Sequence, residues 1–292
     1  MRKVVLMLRH VPPVVVALCC FAAGTGLAQQ MQPDGARPFP RPIVAPEALP
    51  HRAGDLAAIL QIELLSAAIS AESEIFADRV AETYLQGGSG EDWRRMVAQI
   101  HDAGRISALW QARISGRIDR SAGHAQGRAM TDGLARIAAA RRALADHGAR
   151  ADGLARYNDA LGRGEERALS IAEAVATHDL VSPALASRMN RDLAVARGFG
   201  EAGGYGFPIS AEDQAADIAL TEYDLRDDLS HEIGAMLYLA FSGAGEGAFQ
   251  GWLDGRPEGL LARAELAMDD LLIGLAREAG RAAAQRALGD GL

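Results

Sequence analysis

Ser89-Gly90-Glu91-Asp92-Trp93-Arg94-Arg95-Met96-Val97-Ala98-Gln99-Ile100 is the stretch whose reading decides the fold. Trp93, Met96, Val97 and Ile100 stand at i, i+3, i+4 and i+7, which places them on one helical face, with Arg94, Arg95 and Gln99 opposite. Ser89 followed three residues later by Asp92 has the form of a capping box, so a helix is predicted to start there. The same period extends to both sides. Leu56, Ile59, Leu60 and Leu64 share a face, and Ile75, Val80 and Tyr84 continue helical patterning up to Gly87-Gly88-Ser89-Gly90. After Gly104 come Ile106, Leu109, Trp110, Ile114 and Ile118.

Further along, residues 123–175 are rich in Ala and poor in large apolar side chains, which predicts helices packed through small faces or partly exposed. A softer stretch is expected from Gly198 to Pro208, ended by Ser210 as N-cap with Asp213 three residues on. Leu229, Ile233, Met236, Leu237 and Ala240 make another stripe. Pro257 is placed to open a last helix whose core face is Leu260, Ala264, Met268, Leu271 and Leu275.

Composition agrees with this patterning. Of the 292 residues 49% are hydrophobic but only 5% aromatic, so Ala, Leu, Ile and Val supply nearly all the apolar surface. Strands favour β-branched and aromatic side chains, whereas Ala loses no rotamer entropy in a helix. The predicted fold class is therefore all-α, a multi-helix bundle.

The N-terminus is a separate matter. Arg2, Lys3 and Arg9 precede the uncharged apolar run Val14 to Ala28, which is interrupted by Gly24 and Gly26 and preceded by Pro12 and Pro13. Residues 1–28 thus read as a signal peptide cleaved after Ala28, too broken for a membrane anchor. Residues 29–50 hold six of the eleven prolines and read as a Pro-rich linker. The remainder divides into an N-terminal helical unit, 51–176, and a C-terminal helical unit, 177–292.

Both cysteines, Cys19 and Cys20, fall in the segment predicted to be removed, so the mature chain would lack disulfides, thiolate zinc ligands and a Cys nucleophile. Lys3 is the sole lysine, which excludes P-loop and Schiff-base chemistry from the mature chain. The chain carries a net charge of −8, and loss of Arg2, Lys3 and Arg9 makes it three charges more acidic. Nucleic acid is a poor partner for such a protein. Charge is also uneven. Residues 105–167 hold twelve Arg against seven acids, and residues 168–292 nine Arg against twenty acids. Basic and acidic helix faces packed within one molecule account for this; an antiparallel homo-oligomer is the alternative.

Motifs that resemble chemistry fail on their context. Gly198-Phe199-Gly200-Glu201-Ala202-Gly203 fits GxGxxG, but a helical pattern precedes it and Gly204-Tyr205-Gly206-Phe207-Pro208 follows, so it is predicted to be a flexible interhelical loop. His231-Glu232 begins like HExxH, but position 235 is Ala. Asp224, Asp227, Asp228, His231 and Glu232 form a dense acidic patch that a divalent metal could use, with a solvated acidic face as the plainer reading. His51, His101, His124, His147 and His178 are scattered, with surface or capping roles expected. No residue is assigned as catalytic, cofactor-binding or metal-ligating.

Three segments resemble exported alphaproteobacterial proteins of the domain of unknown function 2059 family: Asp55-Leu56-Ala57-Ala58-Ile59-Leu60-Gln61 through Trp93 to Ile106; His178-Asp179-Leu180-Val181 with Met189-Asn190, Leu193-Ala194 and Arg197-Gly198; and Ser242, Glu246, Trp252-Leu253, Pro257 and Gly259. The third segment is similar to the family's Ser/Glu helix start, aromatic helix and Pro-x-Gly turn. It departs at Gly247 and Gln250, where the family has Leu and Tyr, which predicts a weak short helix. The resemblance implies an all-helical exported protein with no catalytic signature, and a degenerate second copy of the domain near Arg105 to Asp146, for which the internal match is weak.

The expected function is thus a periplasmic binding protein without catalysis, acting on an apolar small ligand held between helices or on an envelope protein. The competing expectation is a metal-assisted enzyme at Asp224 to Glu232.

Overall fold

The computed structural model describes residues 56–86, 88–115, 127–245, 247–254 and 260–289. The expected signal peptide, linker, Cys19, Cys20, His51, His124, Ile118 and Pro257 lie outside the described residues. Among those described there is no strand. The elements are α1 (Leu56–Ile59), α2 (Ile62–Ala71), α3 (Ser73–Tyr84), α4 (Glu91–Ile100), α5 (Ala103–Ser115), α6 (Gly127–Ala143), α7 (His147–Gly162), α8 (Glu166–Thr177), α9 (Val181–Glu201), α10 (Ala211–Ala219), α11 (Glu222–Phe241), α12 (Ala248–Asp254) and α13 (Leu260–Gly289). The all-α reading holds, and no described helix is long and apolar enough to cross a membrane.

The deciding stretch is α4. Trp93, Val97 and Ile100 are buried, and the Trp93 indole N–H donates to the Ala77 carbonyl of α3 at 2.8 Å. Met96, expected in the same stripe, is 39% exposed, because the buried seam follows i, i+4 and i+7. The cap also differs. Gly90 occupies the N-cap position without a side-chain bond, and the Ser89 hydroxyl instead accepts from Arg94 Nε at 3.1 Å. At α10 the expected cap is present, with Ser210 Oγ accepting from the Asp213 N–H at 3.0 Å.

The first helical run is interrupted where its pattern gave no warning. Gln61 adopts a left-handed φ of 50°, its side-chain amide donating to the Ala58 carbonyl at 2.5 Å, and this turns α1 into α2. Glu72 makes the next turn, between α2 and α3.

α9 and α13 form the most extensive helix pair. They run in the same direction: Ser187 meets Asp269, and further along both helices Gly198 meets Arg277 and Arg281. A Cβ on Gly198 would land on the Arg277 carbonyl oxygen, and one on Gly280 would land on that of Val195. The predicted loop at Gly198 is therefore corrected. α9 continues through Glu201, and Gly198 lets the two backbones touch rather than loosening the chain. Left-handed glycines begin only at Gly203, φ +82°. We expect Gly198→Ala to lower unfolding free energy by about 3 kcal/mol, the upper part of the overpacking range, since backbone atoms on α13 cannot rotate aside. Urea denaturation measures it, and a cost below that of an ordinary surface change would refute the crossing.

Two hydrophobic clusters result. One joins α2 to α5 with α9 and α13, around Trp93, Ile106, Trp110 and Leu271. The other joins the end of α6 with α7, α8, α11 and α12, around Ile171, Leu237, Phe241 and Trp252. Both draw on residues from each side of position 177. Small buried faces are prominent in the Ala-rich middle, at Ala135, Ala138, Ala140, Ala160 and Ala168. The short helix α12 forms despite Gly247 and Gln250. Its Trp252 packs directly on Gly133, where a Cβ would clash with the indole, and on Phe241 and Phe249. Ser242 ends α11 instead of starting a helix.

Candidate functional site

The lining of the site is read from four apolar stripes, each interrupted by charge. On α2 and α3, Leu65, Ile69, Glu72, Phe76 and Arg79 follow alternating steps of four and three residues. Leu134, Ile137, Arg141 and Leu144 do so on and just beyond α6. Ala184, Ser187, Arg188 and Arg191 share a face of α9, and Leu229, Glu232, Ile233 and Met236 one of α11. These positions all line a cavity of about 470 Å³, together with Leu261, Met268 and Leu272 of α13. Its walls come from both hydrophobic clusters. The volume lies within the range of about 300 to 1,000 Å³ usual for small-molecule sites. The exposed lining residues Pro183 and Glu265 mark where it reaches the surface.

At the polar end, Arg141 grips Glu72 with two bonds, Nε to Oε1 at 2.8 Å and Nη2 to Oε2 at 2.7 Å. Asp192 is shared by Arg188, Nε at 3.0 Å, and Arg79, Nη2 at 3.2 Å. Arg150 reaches Glu232 at 3.4 Å, and Ser187 Oγ donates to Asp269 at 2.7 Å. Burial pushes the Glu72 carboxyl up, but Arg141, with Arg150 and Arg191 beyond it, overrides this and holds it below the usual carboxylate range. Asp192 is likewise held low by Arg79, Arg188 and Arg191 against its burial.

Arg191 differs from its neighbours. Its one hydrogen bond to protein runs from Nε to the Ser187 carbonyl of its own helix at 3.2 Å, leaving both terminal nitrogens without a carboxylate among the described residues. Burial pushes this guanidinium down, Arg188 and Arg141 push in the same direction, and Asp192 and Glu72 oppose them.

His101, expected at the surface or in a cap, does occupy the C-cap of α4 but is buried against Phe76, their ring centroids 4.8 Å apart. It too lines the cavity. Burial pulls its pKa down to about 4, with Arg191 and Arg105 adding to the effect and the Val97 carbonyl opposing it. The unfolded chain therefore takes up a proton near pH 6.5 that the folded chain refuses until about pH 4. Stability should be full above pH 6.5 and decline by about 3 kcal/mol as pH falls through that window. Denaturant titrations across it should show that slope in the wild type and a flatter one in His101→Phe; equal slopes would reject the assignment.

The side chains of the acidic patch make separate contacts. Glu232 turns into the cavity toward Arg150, His231 Nδ1 sits 3.1 Å from the Asp227 carbonyl, and no three such side chains converge as metal ligands among the described residues. Burial, then the like charges of Glu232, Asp227 and Asp224, hold Asp228 above the usual range. The expected pairing of basic and acidic faces within the molecule is present in Arg150–Glu232 and in Arg105–Glu278, 2.6 Å.

None of Glu72, Arg79, Arg141, Arg188 or Arg191 is singled out by a motif. The available signal is a charged residue in register with a core stripe, which composition and motif scanning both pass over. No protein-family model matches this chain, nor does any curated protein or solved structure.

Proposed function

We propose that this is an exported periplasmic protein that binds an apolar small molecule between its helices without chemically altering it. The carrying observation is the 470 Å³ cavity, walled by apolar side chains from both hydrophobic clusters. A space of this size reaching in from the surface has no packing role of its own, since interiors otherwise fill to near crystal density and each void forfeits contacts. Export is supported by the Arg2-to-Ala28 pattern and by the resemblance to the domain of unknown function 2059 family.

Native mass spectrometry of the protein purified from its own cell envelope tests the reading. A folded species heavier than the chain by one small molecule, released on denaturation and soluble in organic solvent, is the expected result. A protein that carries nothing and shifts in mass with no apolar compound added in excess would overturn it.

A further inference from the structure

We infer that the cavity selects an amphiphile with an anionic head, a carboxylate placed against the terminal nitrogens of Arg191 with its chain along the apolar walls. This rests on the reading of the cavity as a ligand site. Around the polar end stand five guanidiniums, Arg79, Arg141, Arg150, Arg188 and Arg191, with the carboxylates Glu72, Asp192, Glu232 and Asp269, of which Glu232 pairs with Arg150 and Asp269 accepts from Ser187. Arg79 and Arg188 share Asp192, and Arg141 saturates Glu72 through both its oxygens. Arg191 is left over, half-buried, lining the cavity, and bonded only through Nε.

A buried charge without a counterion is costly, and proteins normally pair it or leave it in water. Glu72 and Asp192 counter Arg191 without bonding it, so the bonded partner for its terminal nitrogens is supplied from the cavity. A guanidinium with two free N–H edges matches the two oxygens of a carboxylate. Leu134, Ile137, Leu237, Leu261, Met268 and Leu272 give the lining an apolar stretch that suits a hydrocarbon chain. A small inorganic anion would satisfy the head and leave those walls empty. A neutral chain would fill the walls and leave Arg191 unpaired.

Isothermal titration of the protein, stripped of bound lipid, with dodecanoate, dodecanol and acetate separates these cases. Dodecanoate should bind roughly 10-fold to 100-fold tighter than dodecanol, the effect of one charge-assisted bond in a dry site, and acetate should bind far more weakly than either. Arg191→Gln should bring dodecanoate to the level of dodecanol without changing dodecanol, and should melt no lower than the wild type, because an unpaired charge has been removed. Arg191→Lys, which keeps the charge but loses the planar fork, should restore part of the preference.

Equal affinity for dodecanoate and dodecanol, or a preference that survives Arg191→Gln, would overturn the inference while leaving the apolar cavity reading intact. Binding of acetate as tight as dodecanoate would also overturn it, by reducing the site to a small-anion pocket. Failure of every chain-bearing probe would remove the ligand reading itself and this inference with it.

Discussion

Trp93→Ala should lower the unfolding free energy by about 3 to 5 kcal/mol, the penalty for emptying a large aromatic site. Trp93 has no exposed surface and sits where α4 meets α3 within the first hydrophobic cluster. Two losses combine. The cavity left by the indole cannot collapse readily, because Val97 and Ile100 are held in place by the same helix. The Ala77 carbonyl also loses the N–H it accepts at 2.8 Å, although that oxygen keeps its partner within α3. Trp93→Phe should recover most of the packing and lack only the hydrogen bond. Urea denaturation followed by circular dichroism checks both variants. A cost for Trp93→Ala under about 1 kcal/mol would mean that the indole is not in the core.

Glu72→Gln is the second large effect, also about 3 to 5 kcal/mol, because it leaves Arg141 as an uncompensated buried charge. Glu72 and Arg141 keep only 23% and 27% of their side-chain surface, and both face the cavity. The neighbouring Arg150 and Arg191 raise the cost further, since Glu72 also counters their charge. Because the Glu72 carboxyl is held below its ordinary value, its contribution is fully present above the unfolded pKa and is lost as pH falls through the folded one. Removing both partners in Glu72→Gln, Arg141→Met should recover a substantial part of the loss, as replacement of whole buried pairs often does. Unfolding free energies of the two single variants and the double variant at pH 7 decide it. Additive losses would show that the two groups act independently, against the bidentate geometry.

Fold class was legible because helices write their buried face into the spacing of residues. Trp93, Val97 and Ile100 on α4, and Ala264, Met268, Leu271 and Leu275 on α13, are buried where the period places them. Local chemistry was less reliable wherever a distant element decided it. Gly198 reads as a loop signal, yet it is helical because α13 packs against its bare backbone, a contact made by residues far along the chain. Ser89 reads as a cap, yet Arg94 takes its hydroxyl. Gln61 reads as a helix residue, and its left-handed turn has no local signature.

The cavity was legible only in part. The expectation of an apolar ligand between helices rests on interrupted, Ala-lined packing, and the position of the cavity depends on which stripes face each other. Glu72, Arg141 and Arg191 belong to α2–α3, α6 and α9, far apart in the chain, and periodicity assigns each to an inward face without naming its partner. The acidic patch shows the reverse case. Its density in the chain suggested shared chemistry, whereas the helix turns Glu232 inward and leaves Asp224 and Asp227 exposed.

Filling the cavity tests the central claim most directly. Ala184 lines it from α9 close to the exposed Pro183, so Ala184→Trp places an indole in the space a ligand would use. Calorimetric titration of dodecanol into wild type and Ala184→Trp, with melting curves confirming that both are folded, gives the comparison. Saturable binding by the wild type and at least roughly 10-fold weaker binding by the variant is the predicted result. Equal binding by both proteins would place the ligand elsewhere, and no binding by the folded wild type would contradict the account of this protein as a carrier of apolar molecules.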